Sequence, residues 1–430
     1  MKNVSLVNIN DLSDLQLESI FLNLGIYRDF LNLSLVCRRW YHLVHRYARY
    51  RRSQLRSIFS NVTIKNADKY SRTCKFKSEI IVPQSLHPYV RIHQSCCQWK
   101  NYIIMFGGSY VGNDALFNDM WKFDITFYKW HRIQARKNIP SGRCRAYLCP
   151  IYNNTHLLLY GGYSISARSS STPGRELEFL QDLHIFDIQN NEWSEKPAGF
   201  GYIPVNSYDS STCAVFVPKI DSLIVLSSSR PNDSAADNDQ LPFVFNSTSV
   251  WGFSMSQCYW VKIETIAAPA VCLFDTHLMI STETRIVVLA KRHPIYMEHS
   301  KLFILDLCMC TWTEVEFNRE FPPSMAPYYK FNSNFGSNIF YTTDSNGIFV
   351  MKLYGTTDNE NKGAGEECNE KLCAFAPVVK NIHPNCESIF NMIDPLGMSM
   401  IVFALCTDRT EDVIRRFFVF FNISLEDHVQ

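Results

Sequence analysis

The sequence predicts a mainly-β protein, a propeller of about six four-stranded blades behind a small all-α module, and three observations carry that reading. Four times an apolar run ends in a residue followed six positions later by tryptophan: Asp124/Trp130, Asp187/Trp193, Ser254/Trp260 and Asp306/Trp312. A spacing that outlasts the divergence around it marks a repeat, and repeats of this size build propellers or solenoids, not one continuous core. Prolines that open successive units stand at Pro88, Pro140, Pro204, Pro269, Pro327 and Pro384, at steps of about 50–65 residues, which suit four short strands with loop insertions. Finally, residues 8–60 place apolar side chains at helical spacing, whereas 88–425 reads as short strands, with 61–87 as a linker and closing strand.

Composition limits the classes open to the chain. With 46% hydrophobic content over 430 residues it is not mainly disordered, and a net charge of +1 gives no global field toward nucleic acid or anionic membrane. The N-terminus has early acids and no small-residue cleavage site, and no apolar run approaches about eighteen residues. The expectation is a soluble protein of the cytoplasm or nucleus. Fifteen cysteines, an odd number, fall mostly in strand positions such as Cys96, Cys97, Cys213, Cys272, Cys308, Cys310 and Cys406, as small buried hydrophobes do in a reducing compartment. Neither Cys308 with Cys310 nor Cys368 with Cys373 has a second ligand pair at zinc spacing, so no metal is expected.

In the N-terminal module Leu12, Leu15, Leu17, Ile20, Phe21 and Leu24 recur at helical spacing, Ser13 and Asp14 suit an N-cap, and Gly25 ends the helix. A second helix begins near Arg28 and Asp29 with Phe30, Leu31, Leu33, Leu35 and Val36. A third carries Trp40, Leu43, Val44 and Tyr47 into a stretch with Arg38, Arg39, Arg46, Arg49, Arg51, Arg52 and Arg56 that reads as a solvated helix face. Three short helices bury too little surface to be robust alone, so their apolar faces need a partner.

These residues resemble the F-box. The matches are Leu12, Leu15, Ile20, Phe21, Leu24, Asp29, Phe30, Leu31 and Leu35, and above all the run Val36-Cys37-Arg38-Arg39-Trp40 with Leu43 and Val44. Ser13 stands where the family has proline. The resemblance implies docking on a Skp-type adaptor that bridges to a cullin–RING ubiquitin ligase, with Leu12, Leu15, Ile20, Phe21, Leu31, Val36, Cys37 and Trp40 divided between the module's core and that interface.

Among the repeats, the best-formed unit runs from Pro88 and Arg91 through a small strand near Gln94–Trp99 to Tyr102-Ile-Ile-Met-Phe106-Gly107-Gly108. It continues with Asn118-Asp-Met-Trp-Lys-Phe-Asp124 and Trp130. The second has Pro140, Arg143, His156-Leu-Leu-Leu-Tyr160-Gly161-Gly162, Leu183-His-Ile-Phe-Asp187 and Trp193; the third has Ser227-Ser228 in place of the glycines, and the fourth has neither. The pattern resembles the kelch repeat, four strands per blade. Paired glycines let the backbone turn sharply and let blades approach, and the step from Asp to Trp is a turn that sends the indole between blades. The final unit lacks chain for a fourth strand, so residues near Thr73–Val82 are expected to complete it and remove an exposed edge.

Together the two parts resemble F-box-only proteins with a C-terminal kelch propeller. That resemblance implies a non-catalytic substrate receptor of a Skp–cullin–F-box ligase; the alternative is a kelch scaffold outside any ligase. The long loops Ser109–Phe117, Tyr163–Gln181 and Ser228–Asn246 are candidate contact elements. Arg91, Arg143 and Arg145 are candidates for binding an acidic degron, the other reading being that Arg91 and Arg143 hydrogen-bond blade backbone. Ser164–Ser171 and Thr356–Lys371 read as insertions. The twelve histidines are scattered without repeating spacing, and no phosphate loop or nucleophile elbow occurs, so neither copper chemistry nor a cofactor is expected.

Overall fold

The computed structural model describes residues 8–22, 27–60, 76–81, 86–110, 115–167, 175–196, 213–227, 247–270, 278–282, 284–290, 301–317, 333–335, 338–342, 348–353, 372–379, 386–393, 399–410 and 413–425. Gly25, Pro204, Pro327, Pro384, Cys272, Cys368, Ser228–Asn246 and 356–371 lie outside them.

Three helices form the N-terminal module: α1 (Asp14–Leu22), α2 (Tyr27–Ser34) and α3 (Arg38–Ser60). Ser13 caps α1 reciprocally with Gln16: its Oγ accepts from the Gln16 N–H at 3.3 Å, and its own N–H donates to Gln16 Oε1 at 2.8 Å. Serine where proline was the family pattern therefore keeps the helix start. Leu17, Phe21, Phe30, Trp40, Leu43, Val44 and Ala48 make a core of their own, with Phe21 edge-on to Trp40 at 5.2 Å and Phe30 stacked on Tyr47 at 5.2 Å. Arg39 ties the module's start to α3, its Nε donating to Asp14 at 2.8 Å and Nη2 to the Leu12 carbonyl at 2.6 Å.

The rest is β-sheet. The first sheet orders β3 (Ser95–Trp99), β4 (Tyr102–Phe106), β6 (Met120–Asp124) and β7 (Lys129–Ile133), with β2 (Arg91–Ile92) paired to β5 (Ser109–Tyr110) above it. The second orders β8 (Tyr147–Ile151), β9 (His156–Tyr160), β12 (Leu183–Asp187) and β13 (Glu192–Lys196). Its intervening segment, expected as a loop over Tyr163–Gln181, instead pairs β10 (Tyr163–Ala167) with β11 (Arg175–Phe179). Alternation of apolar Tyr163, Ile165, Leu177 and Phe179 with polar neighbours explains the correction. The third sheet orders β14 (Ala214–Val217), β15 (Ser222–Ser227), β16 (Ser249–Ser254) and β17 (Tyr259–Ile263).

An eight-stranded sheet follows. It joins the meander β18 (Leu278–Thr282), β19 (Arg285–Ala290), β20 (Lys301–Asp306), β21 (Thr311–Phe317) to the meander β22 (Ser333–Phe335), β23 (Asn338–Thr342), β24 (Ile348–Leu353), β25 (Leu372–Val379). The joint is a short parallel pairing of Glu316 and Phe317 with Leu372 and Cys373. The last sheet orders β26 (Cys386–Ile393), β27 (Ser399–Thr410), β28 (Val413–Leu425) and, on its outer edge, β1 (Phe76–Ile81), antiparallel to β28 from Phe76↔Leu425 to Ile81↔Phe420.

The arrangement is a kelch-type propeller. Leading strands face one another around the ring, β3 against β8, β8 against β14, β14 against β18, and β26 back against β3. The core is correspondingly divided into layers between sheets: one joins the first two, one the second and third, and one the third to β19–β21. A fourth layer joins Ile401, Phe403, Leu405 and Phe418 of the last sheet to Ile103, Met105, Trp121 and Phe123 of the first. Each repeat tryptophan lies on the preceding sheet, Trp193 on Phe106 at 5.5 Å, Trp260 on Tyr160 at 5.8 Å and Trp130 on Phe403 at 5.7 Å.

The constant step to tryptophan has a backbone cause. Asp124, Asp187 and Asp306 each accept from the N–H groups two and three residues on, and Ser254 Oγ accepts from Gln257. The first turn residue, Ile125, Ile188, Met255 or Leu307, donates to a carbonyl of the neighbouring turn, and the fourth, Tyr128, Asn191, Cys258 or Cys310, is left-handed with φ between 51° and 55°. Tryptophan then falls opposite Phe123, Phe186, Phe253 or Leu305.

Candidate functional site

Arg91 and Arg143 sit just before the leading strands β3 and β8, and both side chains are fully buried. Arg143 spreads all five of its N–H donors over fixed acceptors: Nη1 to Asp182 Oδ1 (2.6 Å) and the Gly161 carbonyl (3.1 Å), Nη2 to Asp182 Oδ2 (2.7 Å) and Ser141 Oγ (3.1 Å), Nε to the Ser141 carbonyl (3.1 Å). Arg91 repeats this with Asp119 (Nη2–Oδ2 3.1 Å), the Gly107 carbonyl (3.0 Å) and the Tyr89 carbonyl (3.0 Å), its guanidinium 3.8 Å over the Phe117 ring. Neither presents a guanidinium face to a ligand. The degron role considered for them is therefore corrected: they clamp the second strand of a blade to the start of its third.

A third group completes each clamp. Trp121 Nε1 donates to Asp119 Oδ2 at 2.7 Å, and His184 Nε2 lies 2.6 Å from Asp182 Oδ2. Burial alone would raise both carboxyls, but hydrogen bonds from His184 and Arg143, with the guanidinium charge, hold Asp182 well below the usual carboxylate range, and Arg91 and Trp121 lower Asp119. The glycines make room. Gly107 and Gly162 have φ of +66° and +86°, and a Cβ would come 2.5 Å from the Arg143 carbonyl oxygen and 2.4 Å from that of Cys144, respectively.

Arg145 is placed differently. It is half-buried, left-handed at φ 53°, and its N–H donates at 2.8 Å to the carbonyl of His93, the equivalent residue of the first blade, also left-handed at φ 58°. Burial, reinforced by the Arg145 charge, lowers the His93 imidazole to about 4, so it is neutral at physiological pH beside a cation.

In the helical module the residues expected to meet an adaptor separate. Leu15 (76% exposed), Ile20, Val36 (60%) and Cys37 are exposed. Phe21 (1%) and Trp40 (8%) fill the module's own core, because they face each other across α1 and α3, and Leu12 packs at that core's margin. Leu31 packs on the layer between the first and last sheets, so it is corrected from adaptor contact to ring contact. Two further apolar residues of the module are exposed that the sequence reading did not single out as contacts, Leu35 in the α2–α3 turn and Tyr41, for which only the helical register was a signal.

Among the described residues no three His, Cys, Asp or Glu side chains converge as a metal-binding group, and no helix is long and apolar enough to cross a membrane. Cysteines 37, 96, 97, 144, 149, 213, 258, 308 and 310 are free thiols, and burial pushes the Cys149 thiol up to about 12.

Sheets packed face to face around a ring, diglycine corners clamped by arginine and indoles between blades define a kelch-repeat propeller, a protein-interaction domain, preceded by a helical module. The chain belongs to the KLHDC2/KLHL20/DRC7 Kelch-repeats domain family, whose profile matches residues 93–331. It is 31% identical over 132 residues to Rho GTPase-activating protein gacHH of Dictyostelium discoideum, covering 30% of this chain and 8% of that protein. It is 27% identical over 106 residues to Kelch domain-containing protein 3 of Bos taurus and of Homo sapiens, covering 25% of this chain and 27% of each relative. The similarity thus spans well under a third of these relatives' lengths. A solved chain titled Structure of YjhT aligns over 78% of this chain and 99% of its own, at 10% identity and a TM-score of 0.44.

Proposed function

We propose that the protein is the substrate-recognition subunit of a Skp–cullin–F-box ubiquitin ligase, its F-box-like helices docking a Skp-type adaptor and its propeller binding the protein to be modified. The observation that carries the reading is an apolar surface left over on a module whose core is already filled: Leu15, Ile20, Leu35, Val36 and Tyr41 are exposed while Phe21, Phe30 and Trp40 are buried. Such a subunit supplies no catalytic group and needs no cofactor. It raises the concentration of substrate lysines near the charged conjugating enzyme. It works in the cytoplasm or nucleus.

The ring in this reading has six blades. The eight-stranded sheet counts as two, because its parallel joint is of the same kind as the Ile266↔Thr311 bridge between the third sheet and β21. Arg145 and His93 are the proposed substrate contacts, with an acidic segment the matching ligand.

The test is co-purification of the adaptor with the full chain and with Leu15→Glu/Val36→Glu, which changes only exposed positions. Adaptor retained by the wild type and lost from the variant is the expected result. An adaptor absent from the wild type would leave the scaffold reading in its place.

A further inference from the structure

The exposed side of α3 is not an ordinary solvated helix face. The helix carries seven arginines and no acid in a chain whose net charge is only +1. Its buried side is Trp40, Leu43, Val44, Ala48 and Arg51. Two arginines on its flank are neutralised by α1, Arg39 by Asp14 and Arg46 by Glu18. Opposite the core stands a line at alternating steps of four and three: Arg38, His42, His45 and Arg49. At 1.5 Å per residue this line runs about 17 Å along one face. Neither acid of α1 bonds to it: Arg49 Nε turns back to its own helix at the His45 carbonyl (3.3 Å), and the Tyr41 ring lies 4.2 Å from that of His45.

We infer that this crest docks an acidic protein segment whose apolar anchor sits on the Leu35–Val36 turn, directly before Arg38. The chemistry of the two ends selects the partner. An acid-free line with an arginine at each end and imidazoles between fits a row of carboxylates, while the exposed aliphatic pair that precedes it has no counterpart on a nucleic acid backbone. An anionic membrane would need aliphatic residues along the whole inserted face, and Leu43, Val44 and Ala48 of α3 are inside the module. The inference rests on the helical module being a docking element, and deepens it by giving the partner's charge and the line along which it lies.

The test uses the full chain and fluorescence anisotropy with three probes: an oligo-glutamate peptide led by leucines, oligothymidylate, and vesicles of mixed phosphatidylserine and phosphatidylcholine. The peptide should bind, weaken with added salt, and lose about tenfold in affinity to Arg38→Glu/Arg49→Glu. Lys129→Glu/Lys262→Glu, the same charge change on exposed propeller strands, should leave binding intact. Removing the leucines or changing Val36→Glu should also weaken it. Tighter binding of oligothymidylate or vesicles, no peptide binding, or equal loss in both double variants would overturn the inference. Peptide binding that depends on the crest, in a chain with which no adaptor co-purifies, would sink the adaptor assignment and leave this one standing. An adaptor that co-purifies beside a crest variant with unchanged peptide binding would do the reverse.

Discussion

The first two blades and the third close the same corner with different chemistry. In the former, a buried arginine, a carboxylate and a diglycine lock the end of the second strand to the start of the third. In the third blade the place of Asp119 and Asp182 is taken by Thr248, whose hydroxyl and N–H both donate to the Pro269 carbonyl, at 2.7 and 2.9 Å, and Ser227-Ser228 replace the glycines. In β18–β21 the second strand runs Ile286 to Ala290 wholly buried, and no glycine follows it in the sequence before β20. The indoles and the aspartate or serine turns persist in all four. Layer packing therefore persists with and without the ionic corner, which the first two blades carry and the third replaces with the Thr248–Pro269 hydrogen bonds.

The sharpest way to break this contrast is Arg143→Ala. It should destabilise the chain by about 3–5 kcal/mol in urea denaturation, because Asp182 is left beside a void without its cation, whereas Arg143→Met with Asp182→Leu should recover most of the loss. If the single change is mild, the corner is decorative. Next comes one substitution made in both regions. Gly162→Ala should cost about 2–3 kcal/mol, from φ +86° and the Cys144 carbonyl in the way, while Gly252→Ala in β16, whose nearest neighbours are side-chain methyls at 3.3 Å and beyond, should stay within about 1 kcal/mol. Thr248→Val should lose about 1 kcal/mol, one hydrogen bond's worth, measured the same way.

Acid gives the finest distinction. Asp119 and Asp182 titrate lower in the folded chain than unfolded, so their contribution is complete above the ordinary carboxylate value near ~4 and falls away as pH drops through their folded values. Stability followed from about pH 5 to about pH 2 should decline less steeply in Asp119→Asn/Asp182→Asn. Thr248→Val should leave that slope unchanged.

Much of the ring was legible because its marks are local. The turn that sets Asp124 and Trp130 apart lies within seven residues, so divergence elsewhere cannot shift it, and the same holds for glycines that directly end a strand. The clamp was legible only by halves. Arg91 and Arg143 stood out, but their carboxylates lie 28 and 39 residues on, because the segment between second and third strands differs in length, so no repeating interval joins them. Whether a buried or an exposed arginine was meant could not be read without the partner. The left-handed Tyr128, Asn191, Cys258 and Cys310 share a backbone angle and no chemistry, which is why no residue type announced them. In the helical module, the register identified the apolar residues but not which way each pointed: Phe21 and Leu15 differ by six positions and by complete burial against exposure.

Leu31 touches the one layer where the chain's beginning and end must meet, the join between the first and last sheets, and β1 forms the outermost strand of that same last sheet. The helices thus touch the ring at its fastening, through Leu31. By linkage, any protein that grips them in the intact chain lends part of its hold to keeping the circle shut, and trimming them away should make the circle spring open at lower temperature.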